Sequence, residues 1–372
     1  MSENAAPDST ERDKSKAKSP DKTHREENHP QEAQVNESPE NIKQTALVTG
    51  ATSGIGFITA LELARQGLQV VLHARNPEKA EQVRAEIERR TGNSDLDVLL
   101  ADFSSLEEVR AATDSFRDKH DRLDILVNNA GLIMGKQRQE SDEGYELTIT
   151  INHLAPFIFT ARLLDLVGRS SDGRIINVAS EAHRGASPDF GDFHMKRSYS
   201  GWKAYCNSKL YNIMFTDELA RRIGVSSQPA TPSPNDMPFQ AGQSSGAATS
   251  SQTRDLPETG TMSQTDATTG RLSTWSLHPG AVATNFSKNS GGLTSFIFRV
   301  FRPFLRTAEN GALTSVYLAS EPDIPASNGS YFIDSKPASV RHRFFSADNN
   351  RKLWELSCEL TGEDFLDGKG LS

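Results

Sequence analysis

Six short runs, TALV (45–48), QVVLH (69–73), LDVLLA (96–101), LDILV (123–127), RIINVA (174–179) and STWSL (273–277), are β-branched or leucine-rich and nearly continuous in apolar character. Such runs suit strands buried on both faces, the condition of a parallel sheet covered by helices. Between them, Ile55 to Arg65, Pro77 to Arg90, Leu106 to His120, His153 to Val167 and Trp202 to Ile223 carry apolar residues three and four apart with charge on the opposite side. That spacing predicts helices with one buried face. Strand then helix, repeated, leaves few arrangements. It predicts a doubly wound, parallel α/β sheet with right-handed crossovers, whose ligands gather at the carboxyl ends of the strands.

Composition limits where that fold lies in the 372 residues. Residues 1–43 are almost entirely Lys, Glu, Asp, Ser, Pro and Asn with no aromatic side chain, too little apolar surface to offset the entropy of ordering. A disordered tail is expected there. A second polar stretch, about 226–270, has Phe239 and Leu256 as its only large aliphatic or aromatic anchors and reads as a solvated insertion within one domain, 44–362, followed by a short tail, 363–372. Without tail and insertion about 280 residues remain, enough for a single α/β domain.

A formal net charge of −8 gives no basis for a nucleic-acid partner, whose phosphates call for clustered Lys and Arg. Cys206 and Cys358 are the only cysteines, so neither a disulfide framework nor a metal site is expected and a reducing, cytoplasmic setting fits. No signal-peptide core or run approaching ~20 apolar residues is evident, which predicts no transmembrane segment. Oligomeric state is left open, a homo-oligomer included.

The first predicted strand runs into TGATSGIG, 49–56. Gly50, Gly54 and Gly56 permit a turn without Cβ obstruction, and Thr52, Ser53 and Ile55 lie between them where a helix opens. Free N–H groups and the positive end of that helix suit a pyrophosphate. Following a strand and preceding an amphipathic helix, the glycines sit in the context a dinucleotide site requires.

The spacing T-G-x-x-x-G-x-G resembles the short-chain dehydrogenase/reductase family, over nearly all of residues 45 to 362. The resemblance implies a Rossmann-type sheet of about seven strands, a nicotinamide dinucleotide, and hydride transfer between it and a carbonyl or alcohol. At the end of the second strand, LHARN places Ala74 where an acid would hold the ribose hydroxyls of NAD(H), with Arg75 beside it. A guanidinium suits a 2'-phosphate, so NADP(H) is favoured over NAD(H). Asp102 and Phe103 resemble the family's adenine-contacting position. NNAG at 128–131 is another family signature, its Asn129, Ala130 and Gly131 admitting the cofactor and its amides tying strands together.

AYCNSKLYN, 204–212, places Tyr205 and Lys209 one helical turn apart on one face. A phenol with pKa near 10 is a poor base at neutral pH, and a neighbouring ammonium would lower that value. Tyr199 and Lys203 share the spacing, but Gly201 falls between them and Ser200-Gly201 reads as the loop before the helix. The family pattern Y-x-x-S-K also falls on Tyr205, Ser208 and Lys209. The resemblance then implies that Tyr205 exchanges a proton with the substrate oxygen, Lys209 tunes it and holds the nicotinamide ribose, and Ser180, ending INVAS, hydrogen-bonds the substrate. Asn152, in INHLAPF, matches the asparagine that kinks its helix and supports a water leading to the lysine. LHPGAVATN, 277–285, implies cofactor contacts from Pro279, Gly280 and Thr284.

A finer resemblance is to the retinol dehydrogenase-like branch, carried by residues 151–154, AYCNSKL, HPG at 278–280, GSYFIDSKP and KLWELSCELTG. That branch often has an N-terminal membrane anchor; this sequence shows none. Substrate contacts are expected from 181–201 and from LTSFIFRVFRPFL, 293–305, either an aromatic lid over an apolar substrate or a patch resting on a membrane surface. His183 reads as a loop histidine satisfied by its neighbours. The sequence supports an NADP-dependent oxidoreductase acting on a small-molecule carbonyl or alcohol. A non-catalytic NADP-binding regulator is the alternative; it has no use for a proton donor, which favours the enzyme.

Overall fold

The computed structural model describes residues 43–226, 271–280 and 307–366. Eight strands form one sheet in the order β3-β2-β1-β4-β5-β6-β7-β8. They are β1 Thr45–Val48, β2 Gln69–Ala74, β3 Leu96–Leu100, β4 Ile125–Asn128, β5 Asp172–Val178, β6 Arg271–His278, β7 Tyr331–Ile333 and β8 Lys336–Ala338. Seven are parallel, the first six at the predicted apolar runs and β7 beyond them, and β8 is added antiparallel to β7. The order reverses between β1 and β4, so the crevice of this fold opens at their carboxyl ends.

Helices cover both faces. On one side α1 (Gly54–Arg65), α2 (Pro77–Thr91) and α6 (Ala308–Ser320) pack over Ala46, Val48, Ile125, Val127 and Ile176. On the other, α3 (Leu106–Arg117), α4 (Ala155–Gly168), α5 (Gly201–Ser226) and α7 (Ala347–Thr361) pack over Leu47, Leu126 and Ile175. Successive strand residues thus feed opposite cores, the period of two of a pleated strand. Local chemistry sets the boundaries: Asn76 caps α2 ahead of Pro77 and Gly92 ends it in the left-handed region at φ +73°.

Two stretches depart from the sequence reading. Leu147–Gly168 is a helical run of 22 residues with mean hydropathy 1.3, long and apolar enough to cross a membrane by composition, where no such run was expected. Most of it is buried in the domain, and its Phe157, Ile158, Phe159 and Leu163 are fully enclosed. The packing also continues past residue 362: Glu363 accepts from Arg110 at 3.1 Å, the Phe365 ring packs tilted 4.6 Å from Trp354, and Leu366 is buried. Residues 1–42, 227–270, 281–306 and 367–372 lie outside the described residues, and with them the expected N-terminal tail, most of the insertion, Thr284, the aromatic segment 293–305 and most of the expected C-terminal tail.

Candidate active site

The turn leaving β1 is shaped by glycine at two close approaches. Gly50 has φ +66° and packs on the main chain of Ala130; a Cβ on Gly56 would lie 2.5 Å from the Gly50 carbonyl and 2.3 Å from Asn129 Nδ2. Only hydrogen fits there, so the turn stays tight and α1 begins directly beneath it. Ser53 stands at the N-cap of α1 in an extended conformation with no side-chain cap, and the first turn carries no acidic residue. An exposed Ser53 and half-buried Thr52, Gly54 and Ile55 therefore surround a helix end whose N–H groups suit an anion. The cradle fits the diphosphate of a dinucleotide.

Two buried groups fix this turn to its neighbours. Thr49 Oγ1 accepts from the N–H groups of Asn129 and Ala130, both at 2.9 Å, and Asn129 Nδ2 donates to the Thr49 carbonyl at 2.8 Å. His73 Nδ1 accepts from Gly50 N–H at 3.1 Å, and Nε2 lies 3.2 Å from the Ala101 carbonyl. A ring that accepts at Nδ1 and donates at Nε2 is neutral, and burial pushes His73 down to about 4. Neither residue was singled out in the sequence. A histidine inside the apolar run QVVLH was the available signal for one of them.

Arg75 is exposed at the end of β2, beside buried Ala74. Among the described residues it forms no ion pair, and no carboxylate stands at the strand end. Asp102 follows β3, its Oδ1 accepting from Ser104 N–H. Phe103 differs from a ligand-facing residue: its ring is 4% exposed and stacks 4.2 Å from His73, leaving its main chain as the part able to meet an adenine. Asn128 is also structural, donating to Thr160 Oγ1 at 3.1 Å and to Asn177 Oδ1 at 2.9 Å.

At the centre of the crevice the described candidates converge. Helix α5 starts at Gly201, where a Cβ would lie 2.3 Å from the Met134 carbonyl. Tyr199 thus precedes the helix while Tyr205 and Lys209 share its face, so only the second pair is one helical turn apart. Before α4 the chain passes from a short helical turn, Leu147–Ile149, through a π-helical segment, Thr150–Leu154. This widening presents the fully buried Asn152: its Oδ1 accepts from Leu132 N–H, and its Nδ2 donates to the Leu132 carbonyl and to Ser208 Oγ, at 2.8, 2.8 and 3.0 Å. Ser208 in turn donates to the Tyr205 carbonyl at 2.8 Å. Asn152 therefore ties the strand β4 end to the helix that carries Tyr205. Gly131 lies against the same group, since a Cβ there would come within 3.2 Å of Asn152 Oδ1 and 3.4 Å of Lys209 Nζ.

Ser180 leaves β5 and caps the turn Glu181–Gly185. It also hydrogen-bonds the Tyr205 side chain. His183 is buried and lies with Nδ1 2.8 Å from the Ser180 carbonyl, while its buried Nε2 has no hydrogen-bond partner, so its neighbours satisfy only half of this loop histidine. Pro279 is buried and Gly280 turns at φ +84° where β6 ends, beside the Ser180 turn through the bond from Glu181 N–H to His278 Nδ1 at 3.2 Å.

The electrostatics differ from the expectation for a lone tyrosine and lysine. Burial pushes the Tyr205 phenol up to about 12, against the opposing pull of the Ser180 hydrogen bond. Lys209 does not offset this: its ammonium reaches past the ring to the Val178 carbonyl at 2.8 Å and lies 5.8 Å from the ring centroid. Burial lowers Lys209 to about 8. A phenol held protonated beside a second hydroxyl can donate a proton to an oxygen between them, the task of carbonyl reduction.

Comparison with known proteins agrees with this fold. The family model described as short chain dehydrogenase matches residues 44–227. Human retinol dehydrogenase 12 is 33% identical over 316 residues, 85% of each chain. A protein of Streptomyces sp. (strain C5) provisionally named daunorubicin C-13 ketoreductase is 35% identical over 320 residues, 86% of this chain and 93% of its own. The crystal structure of an uncharacterised protein from Mycobacterium paratuberculosis superposes with TM-score 0.60 at 28% identity, covering 87% and 94% of the two chains. The strand order, the glycine turn and these relatives together establish that the chain belongs to the short-chain dehydrogenase family of oxidoreductases, and within it is retinol dehydrogenase-like.

Proposed function

We propose that this protein reduces an aldehyde or ketone with NADPH, with Tyr205 as the proton donor. The observation that carries the reading is the Tyr205 phenol bonded to Ser180 with Lys209 Nζ 5.8 Å from its ring centroid. When bound, the nicotinamide supplies the hydride. The chain's own part is to hold the carbonyl: Ser180 and Tyr205 hydroxyls donate to its oxygen, and the Tyr205 proton passes to that oxygen as it becomes an alcohol. Lys209 supplies positive charge under the ring and a donor for the ribose. Asn152 keeps α5 in register with the strand ends.

Preference for NADPH rests on Arg75, exposed next to Ala74 and suited to a 2'-phosphate. Both cysteines are free thiols, in keeping with a reducing cytoplasmic setting. The test is loss of nicotinamide absorbance with a panel of aldehydes and ketones, run with NADPH and with NADH. Turnover favouring NADPH supports the reading. Tight NADPH binding with no turnover of any carbonyl would replace it with the cofactor-binding regulator.

A further inference from the structure

We infer that Trp202 is a specificity-determining wall of the substrate site, selecting carbonyl compounds that carry a flat, apolar ring system next to the reacting carbon. The inference rests on the reading of Tyr205 and Ser180 as the pair that faces the carbonyl. Trp202 lies three residues before Tyr205 on α5, hence on the same face. The two rings are 5.9 Å apart between centroids with planes inclined by 35°. On its other side the indole meets the turn that follows Ser180, where a Cβ on Gly185 would come within 3.9 Å of Trp202 Nε1.

The protein has three tryptophans, and two are core residues: Trp275 is 1% exposed and Trp354 2%. Trp202 is 48% exposed, the only aromatic among the exposed large hydrophobic side chains of the described residues. A wide apolar surface left open beside a reactive hydroxyl gains by being covered. A planar ligand covers it best, because ring-on-ring contact adds to the area term through offset stacking. A three-carbon aldehyde held at Tyr205 and Ser180 has no ring face to lay on the indole.

The test pairs naphthaldehyde with propanal. In Trp202→Ala, kcat/KM for naphthaldehyde should fall about 10-fold while propanal changes less than about 3-fold, and Trp202→Phe should restore naphthaldehyde to within about 3-fold of wild type. A second readout needs no turnover. With NADP+ bound, naphthaldehyde should shield the tryptophan fluorescence from acrylamide and propanal should not, because Trp202 is the exposed indole. Equal effects on both aldehydes, no effect on either, or no shielding overturns the inference. Shielding without NADPH oxidation would leave Trp202 in this role and sink the reductase reading instead.

Discussion

His73 offers a stringent test of how the cofactor turn is held. Its imidazole bridges Gly50 N–H at 3.1 Å and the Ala101 carbonyl at 3.2 Å while stacking on Phe103. Substituting phenylalanine keeps a ring against Phe103 but strips both main-chain groups of their partner. At roughly 1–3 kcal/mol for each buried group left unsatisfied, the loss is about 2–6 kcal/mol near neutral pH. Titration gives a second, independent signature. Burial lowers His73 from 6.5 to about 4, against smaller opposing pulls from the Ala101 carbonyl and Asp102. The unfolded chain then takes up a proton before the folded one does, so the stability owed to the neutral ring is whole above 6.5 and drains away as pH falls toward 4. Between about pH 7 and about pH 5 the loss is about 2 kcal/mol. Other buried histidines such as His153 add their own slope, so the decisive quantity is a difference. Urea unfolding of wild type and His73→Phe at both pH values should show the variant less stable near neutrality and its acid loss smaller by about 2 kcal/mol. An unchanged acid slope in the variant would mean that His73 is not the neutral bridge described.

Arg75→Ala should weaken NADPH binding about 10-fold or more while leaving NADH affinity nearly unchanged, the loss expected for one charge-assisted contact; equal losses for both nucleotides, measured by nucleotide fluorescence, would remove the argument for NADPH. Lys209 is lowered from 10.5 to about 8 by burial, so the cofactor-free protein should gain stability as pH rises from about 8 to about 10.5, where the unfolded chain still holds the proton. Lys209→Met should flatten that rise and make the cofactor-free protein about 1–3 kcal/mol more stable near neutral pH, at the expense of activity. Thermal melts across this range with the steep rise intact in the variant would contradict the assignment.

How much of this was readable in advance depends on length and period. Strands β1 to β6 and helices α1 to α5 carry runs long enough for a two- or three-to-four-residue repeat to register. Strands β7 and β8 have three residues each, too few for any period. The turn joining them uses Asp334 and Ser335, both at positive φ, where Asn-Gly or Asp-Gly would have announced a hairpin. Pro337 and Lys336 in β8 also weaken a strand reading, although both suit the sheet edge they occupy. Helices α6 and α7 were passed over although Thr307 and Ser346 cap them.

Within the proposed site, spacing along one helix was enough to place Tyr205 and Lys209 on one face because both partners lie on consecutive turns. Thr49 and His73 act across strands, and no local pattern brings them together. The direction of the Tyr205 shift was likewise out of reach. It follows from the desolvation of a half-buried phenol and from Lys209 choosing the Val178 carbonyl, both set by tertiary packing.

The most direct test of the proton-donor claim is the rate of NADPH oxidation in a single turnover by Tyr205→Phe, with its NADPH affinity measured alongside. Loss of the phenol hydroxyl should slow reduction about 10²–10⁴-fold and leave NADPH binding close to that of the wild type. A variant that reduces the carbonyl at the wild-type rate would show that the proton comes from elsewhere.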